Sequence, residues 1–508
     1  MEEKFPEQRI SPYLLGIDFG TSNCTVAIYK KGRVEFLKIE GHEIVPSVVT
    51  FGIGKNPLVG EQAKRSAMLY PDKTILSIKR ELGKQEWKYS NDGKEYSPTD
   101  IAALILGYLC EGAQRQADID IEGTVKRAIL CHPANFESNK CEELKRAAEE
   151  MVGLEVRLLE EPVAAAIAYA SHRVTDTKIL VYDLGGGTFD VCILHVQCSA
   201  DSDAAKQFRV LAKGAIAKLG GDDFDERLMK RFAEKIEQES HIDVFDLEKD
   251  QGVSQKKLKA AQQKLKELAE RVKIELSVAE TAEVDEASII QDEAGKEYGL
   301  KDEKVSRQEF MDATGDLLEK TREEVEKTLN EAGLAVDDID RIILVGGSTL
   351  MYGVKEMVKD MFGKEPYADI DPRTIVAHGA AIYGAGGIIE SSRTSHYLGV
   401  ELLNQRFGKL IDKNVMLPAA MQKTYQAAEM DPEAIRITII QSMKEIEYAN
   451  DEAATCLGEF YLVIPEDQRR KEYRDVKITM HITEENLLKV RAELEDENGI
   501  SHEVEIRK

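Results

Sequence analysis

A GxxxxGK[ST] loop is missing from this chain of 508 residues, and with it the P-loop route to nucleotide binding. No CxxC pair occurs either. The seven cysteines, Cys24, Cys110, Cys131, Cys141, Cys192, Cys198 and Cys456, are scattered and odd in number, so neither a zinc site nor a disulfide framework is indicated and reduced, mostly buried thiols are expected. Lys and Arg, 68 in all, are outnumbered by 93 Asp and Glu, and no basic run relieves the net charge of −25. So acidic a field argues against nucleic acid and anionic membrane as partners. No apolar stretch reaches the roughly 18 residues of a membrane span. Met1 to Pro6 has no basic-then-apolar signal pattern, so the expected compartment is the cytoplasm. Asn23-Cys24-Thr25 has the form of a glycosylation acceptor but lies inside a glycine turn, and is read as accidental.

What is present is a matched pair of turns. Leu14-Leu15-Gly16-Ile17-Asp18-Phe19-Gly20-Thr21-Ser22-Asn23 and Ile179-Leu180-Val181-Tyr182-Asp183-Leu184-Gly185-Gly186-Gly187-Thr188 each run from an apolar strand through Asp into glycine. Such a turn can bring backbone N–H groups and a hydroxyl against phosphate oxygens while the carboxylate faces a hydrated Mg²⁺. A third strand, Arg341 to Val345, ends in Gly346-Gly347-Ser348. One glycine turn alone is more often simply a tight turn; three after buried strands make a nucleotide held between two lobes the stronger reading.

The length implies two to four domains. Strands are expected at Cys24 to Tyr29, Val34 to Ile39, Val125 to Cys131 and Val156 to Leu159. Helices are expected at Thr99 to Ala117, Ser138 to Val152 and Pro162 to Ala170. Leu258, Ala261, Leu265, Leu268, Val272 and Leu276 mark one face of a long helix over 254–277. Ser306 and Glu309 have capping-box spacing and open another helix, to about Asn330. This mixture reads as layered α/β. After about residue 390 the pattern becomes strict alternation, as at Ile435, Ile437 and Ile439 or Val476, Ile478, Met480 and Ile482, which reads as an all-β domain.

Phosphate chemistry needs a cation near the γ-phosphate and carboxylates to orient a hydrated metal and a water. Lys79, Glu161, Asp190 and Asp222 are candidates, although by spacing alone each is an ordinary surface charge or helix cap.

A resemblance decides among these readings. Asp18-Phe19-Gly20-Thr21-Ser22, Ile78-Lys79-Arg80, Glu161-Pro162-Val163-Ala164-Ala165-Ala166, Asp183 to Asp190, Leu219-Gly220-Gly221-Asp222-Asp223-Phe224-Asp225 and Val345-Gly346-Gly347-Ser348-Thr349 run in order through nearly the whole chain. Together they resemble the seventy-kilodalton heat-shock chaperone family, the DnaK type. The resemblance implies an actin-like ATPase of two lobes over residues 1–390, a linker over 391–396 and a β-sandwich substrate-binding domain over 397–508. It implies ATP or ADP with Mg²⁺, and K⁺ as an additional candidate ion. Gly20, Thr21, Ser22, Gly185, Gly186, Gly187 and Thr188 would hold phosphates, with Gly220 and Gly221 beside them. Lys79 would serve the γ-phosphate. Asp18, Glu161, Asp183 and Asp190 would order the attacking water and the metal's waters, the metal being held through water by Asp18, Asp183 and Glu161. Glu270, Lys273 and Ser277 resemble adenosine-binding residues, with Gly346, Gly347 and Ser348 opposite. Leu403, Ala428 and Ile435 fall where the family lines its groove for an extended apolar peptide; otherwise they are sandwich core. Unfolded or extended polypeptides are the implied partners, with a J-domain cochaperone at Arg157 and a nucleotide exchange factor as candidates.

Some positions depart from the pattern. Leu350 replaces an arginine that stacks on adenine, with Ile274 on the other face, and Arg373 replaces an acidic residue. One extra residue lies near Pro133, and Cys141 falls where an interdomain arginine is usual. The leucine-rich linker is reduced to Ile388-Ile389-Glu390-Ser391-Ser392, so an apolar linker strand inserted into a lobe is not expected. The sequence stops at Lys508 without the helical lid, which implies faster peptide exchange. Three rivals remain: a sugar kinase, an actin-like filament protein, and a binding module for which ATP is a conformational ligand with little turnover.

Overall fold

The computed structural model describes residues 13–505 apart from 55, 117–123, 172–175, 198–205, 387, 392, 431, 467–468, 470–471, 484–485 and 495–499. Cys198, Ser392, Ala117 and the two chain ends therefore lie outside the described residues.

The two Asp-led turns join strands of two sheets built on one plan. In the first lobe, Leu15–Phe19 pairs antiparallel with Asn23–Lys30 and parallel with Arg127–His132, which in turn pairs parallel with Glu155–Glu160. In the second, Thr177–Leu184 pairs antiparallel with Phe189–Gln197 and parallel with Arg341–Val345, and Lys206–Ile216 follows on the far side. Both central strands are buried on both faces, which is why they read as unbroken apolar runs rather than alternating ones.

Two small-residue helices, Glu161–Ala170 and Ile375–Gly384, pack against each other between the sheets. All ten residues of the first are buried. Pro162 sits in its first turn, where the missing N–H costs nothing. The two helices approach so closely that a Cβ on Gly379 would lie 1.7 Å from the Ala164 carbonyl oxygen. Any side chain there must push the lobes apart.

The long helix Gln255–Val278 buries the six apolar positions of its predicted face. Ser306 caps Arg307–Ala332, its hydroxyl accepting from the Glu309 N–H while the Glu309 carboxylate accepts from the Ser306 N–H. The predicted helix at Ser138–Val152 winds as an α-helix only to Arg146 and as a π-helix over Ala147–Val152. A hairpin of Thr281–Gln291 with Glu297–Ser306 was not anticipated.

From Tyr397 the chain forms two four-stranded antiparallel sheets enclosing one core. Ile437, Ile439, Val476, Ile478, Met480, Ile482, Val490, Ala492 and Leu494 all point into it, as their alternation requires.

One expectation is corrected. Ile388–Ser391 does insert as a strand, pairing parallel with Lys206–Arg209 at the edge of the second lobe's sheet. A strand needs backbone groups rather than leucines to extend a sheet edge, so shortening of the apolar run did not prevent the pairing. Beyond it, the sandwich touches both lobes: the Asn486 amide donates to the Phe136 carbonyl at 3.0 Å, and Lys413 lies 3.2 Å from Glu331. Cys141, also in the first lobe, packs beside this contact, with its sulfur 3.9 Å from the same carbonyl.

Candidate functional site: a carboxylate-lined cleft between two turns

The turns from the two lobes meet. The first is anchored by Ser47, whose hydroxyl donates to the Gly20 carbonyl at 2.8 Å and whose N–H donates to Ser22 O. The second closes through Gly185 N–H to Thr188 O at 3.1 Å. Gly186 has no room for a side chain, since a Cβ would fall 1.9 Å from the Ser22 hydroxyl. Gly220 and Gly221 dock on the second turn, Gly221 N–H reaching Gly185 O at 2.9 Å, and the Ser348 hydroxyl donates to that oxygen as well. Gly20, Thr21, Ser22, Gly185 to Thr188, Gly220, Gly221 and Ser348 are thus gathered from four separate stretches of chain.

Behind the turns lies a buried cluster. Lys79, on a short 3₁₀ turn after the left-handed Ser77, donates to Glu161 Oε1 at 2.6 Å, both side chains being almost fully buried. Asp18 and Asp183 end the two central strands, and Asp190 stands opposite Asp183 in the ladder. Burial, reinforced by Glu161 and only partly offset by Lys79, pushes Asp18 up to about 7. The same causes raise Asp190 to about 7, against hydrogen bonds from Thr188 and the Asn135 backbone. Asp183 is raised well above the ordinary range by burial, Glu161, Asp190 and Asp18. Burial alone would lower Lys79, but Glu161 and Asp18 outweigh it and hold the ammonium above its ordinary value.

Four carboxylates against one ammonium, with Asp190 Oδ1 buried and without a hydrogen-bond partner, fit a cation. Among the described residues no three His, Cys, Asp or Glu side chains converge as direct ligands. That suits an ion such as Mg²⁺, which keeps several waters and takes phosphate oxygens beside one or two carboxylates.

Arg80 is a further residue of the cleft, beyond its place in the Ile78-Lys79-Arg80 motif. Its guanidinium donates to Gly187 O at 2.6 Å and lies 3.8 Å from Asp222 and 3.7 Å from Asp223, so it crosses from the first lobe over the second glycine turn. A basic residue beside the candidate lysine was the available signal. Asp222 accordingly faces Arg80 and Lys266.

The proposed adenosine residues come together less completely. Lys273 is buried, donating to Asp225 at 2.8 Å and to Gly221 O at 3.1 Å. Burial raises Asp225 to about 6 despite this partner. Ser277 donates to the Lys273 carbonyl, and Glu270 pairs with Lys64 across the cleft at 3.0 Å. Ile274 is 60% exposed, an apolar side chain left open to solvent; Leu350 is half-buried. Arg373 grips Asp371 and passes 3.7 Å from where a Gly347 Cβ would stand. In the sandwich, Leu403 is 68% exposed and Ala428 exposed, whereas Ile435 is half-buried against the core. Arg157 is exposed, its guanidinium 4.9 Å from the Tyr383 ring centre.

The family model described as Hsp70 protein matches residues 14–90 and 83–508. Proteins of that family are in general ATP-binding chaperones and ATPases that take ATP or ADP with Mg²⁺ and engage unfolded polypeptides and cochaperones. The two matched segments overlap and together run from the first glycine turn through the last strand of the sandwich, and the chain belongs to the Hsp70 family.

Proposed function

We propose that this chain is an ATP-hydrolysing chaperone of the cytoplasm that binds exposed apolar segments of extended polypeptides and regulates that binding by the nucleotide in its cleft. The working division is an ATPase unit to residue 390, a linker over 391–396 and a peptide-binding sandwich from 397. The observation that carries the reading is the buried Lys79–Glu161 pair among Asp18, Asp183 and Asp190, directly behind two touching phosphate turns.

Thr21, Ser22 and the backbone N–H groups of Gly20 and Gly185 to Gly187 bind the phosphates, and Gly220 and Gly221 hold the second turn in place. Lys79, preorganised by Glu161, offers its ammonium to the γ-phosphate, where charge builds as the phosphoryl group leaves. Asp190, with one oxygen unpartnered and the other side of the carboxylate held by Thr188 and Asn135, orients the attacking water and accepts its proton. Bound Mg²⁺, held through water by Asp18, Asp183 and Glu161, would neutralise phosphate charge; K⁺ is a further candidate. Glu270, Lys273 and Ser277 line the adenosine end, opposite Gly346, Gly347 and Ser348. Ile274 and Leu350 supply apolar faces for the base. Leu403, Ala428 and Ile435 border the peptide groove, where an extended segment would bind by backbone hydrogen bonds and one apolar side chain. Arg157 is the proposed contact for a J-domain cochaperone, and a nucleotide exchange factor completes the cycle.

Single-turnover hydrolysis of ATP, with and without an apolar peptide, tests this reading. Stimulation by peptide is expected. Tight ATP binding with no turnover would overturn the enzymatic reading in favour of a binding module, and phosphorylation of an added sugar would favour a kinase.

A further inference from the structure

We propose that one end of the second lobe's sheet is a docking surface for an acidic helical segment of another polypeptide, whose carboxylates would meet Lys178, His195, Arg209 and Arg393. Lys178 stands near the start of the strand Thr177–Leu184, whose other end carries Asp183 into the cleft. The surface is therefore remote from the phosphate turns, and the proposal holds whether or not the cleft hydrolyses ATP.

The strand register sets out a row. Lys178 stands opposite His195 and His195 opposite Arg209, so three basic side chains from three neighbouring strands share one face of the sheet. Their sequence neighbours Thr177, Val196, Phe208 and Val210 are buried on the other face. Arg209 is exposed, and Lys178 and His195 are partly so.

The row ends in two arginines. The Arg393 guanidinium donates to Val210 O at 2.8 Å, which sets it beside Arg209. Burial and the positive charge of Arg209 lower Arg393 below its ordinary value. Its other hydrogen bond goes to Asn414 O, again a carbonyl. Among the described residues, no carboxylate is ion-paired with either guanidinium or with the Lys178 ammonium. Negative charge is met at the Lys178 end, where Asp176 pairs with His195 and Asp340 accepts from the Lys178 N–H at 2.8 Å. The arginine end has no such neighbour among the described residues. In a chain of 93 Asp and Glu against 68 Lys and Arg, two adjacent guanidinium groups without a counter-ion mark a place for an anion from outside.

Shape and spacing select the partner. A flat sheet face has no walls to enclose a small anion, which favours a polymer. Neighbouring strands lie about 4.8 Å apart, close to the spacing of residues i and i+4 on a helix face, about 5–6 Å. A helix laid across the strands with Asp or Glu at i, i+4 and i+8 would set its carboxylates against the row in turn, one of them in bidentate reach of Arg209. A long polyanion such as nucleic acid would bring the rest of its charge against a net −25, so a short acidic segment fits better.

The test measures binding of labelled alanine-based peptides of about 20 residues, long enough to form helix, to the full chain by fluorescence anisotropy. One peptide carries Glu at every fourth position, a second carries Gln there, and a third has the same Glu residues scrambled. The regularly spaced Glu peptide is expected to bind, more weakly as salt is raised, the scrambled one less well and the Gln peptide not at all. Arg209→Glu should weaken the Glu peptide by about tenfold or more, since its carboxylates then face a like charge. Lys178→Glu should weaken it by a smaller factor, and ATP dissociation constants should not change in either variant. Equal binding of the Glu and Gln peptides overturns the proposal, as does binding indifferent to Arg209→Glu. Equal binding of the regular and scrambled peptides overturns the helical partner. A single-stranded oligonucleotide is run in parallel, and its tighter binding, lost in Arg209→Glu, would make the surface a nucleic-acid site and overturn the proposal. Should Arg209→Glu not fold, Arg209→Gln is expected to weaken the Glu peptide several-fold, and an unchanged affinity there overturns the proposal equally.

Discussion

The two lysine–glutamate pairs at the end of the Glu155–Glu160 strand have the same length, the same burial and adjacent carboxylates, yet different surroundings. Lys79–Glu161 faces three further carboxylates, Asp18 from the first lobe and Asp183 and Asp190 from the second. Lys213–Glu160 joins the two lobes and is completed by a backbone carbonyl of the linker. The first stands among like charges in the cleft, the second between a strand of each lobe and the segment that follows them. Distance and burial are shared, so the neighbours decide what a buried charge pair does.

The largest expected effect breaks the cleft side. Lys79→Ala should lower single-turnover hydrolysis by about 10²–10³-fold, the usual cost of one preorganised electrostatic group, while ATP still binds. Persisting hydrolysis would take away the role given to Lys79.

The linker side should break differently. Lys213→Met leaves Glu160 buried without its cation, and a loss of about 3–5 kcal/mol is expected. The double variant with Glu160→Gln should recover most of it. Denaturant midpoints of the two proteins decide the matter, and equal midpoints would mean that Glu160 finds another partner.

Between the pairs and the second lobe, Gly379→Ala should cost about 1–3 kcal/mol through overpacking against Ala164. Thermal unfolding measures this, and an unchanged midpoint would show that the two helices can separate freely.

The smallest effect concerns a third buried lysine pair, Lys273–Asp225, which lies within one lobe and serves as the control. Burial raises Asp225 from 3.8 to about 6. Between these values the folded protein keeps a proton that the unfolded chain has released, so stability falls as pH rises through that window. Asp225→Asn should flatten this slope in pH-dependent melting; an unaltered slope would assign it to other groups.

Much of what positions the cleft was legible in the chain. Asp18 and Asp183 stand at strand ends because apolar runs precede them and glycines follow. The Ser306–Glu309 cap formed because both partners lie within one turn. The Glu160–Lys213 pair was not legible: 53 residues separate its members, and each alone reads as a surface charge. The linker strand escaped for a related reason, since sheet-edge pairing depends on backbone groups that no side-chain pattern announces. The hairpin Thr281–Ser306 was hidden because the exposed/buried alternation that opens its first strand lapses at Glu286 and Ala287, and its second strand buries only Leu300 and Val305. The stretch 138–152 reads as a charged surface helix, yet Cys141, Leu144, Ala147 and Ala148 are buried, and side-chain pattern does not distinguish α from π winding in the last six residues.

The central claim, that nucleotide in the cleft governs the sandwich through the linker, is tested most directly by the dissociation rate of a labelled apolar peptide from the ADP-loaded protein after a chase with ATP or with more ADP. The account predicts a change in rate of about tenfold or more with ATP, in keeping with coupling between linked sites. Equal rates in the two chases, with ATP binding confirmed in the same sample, would contradict it.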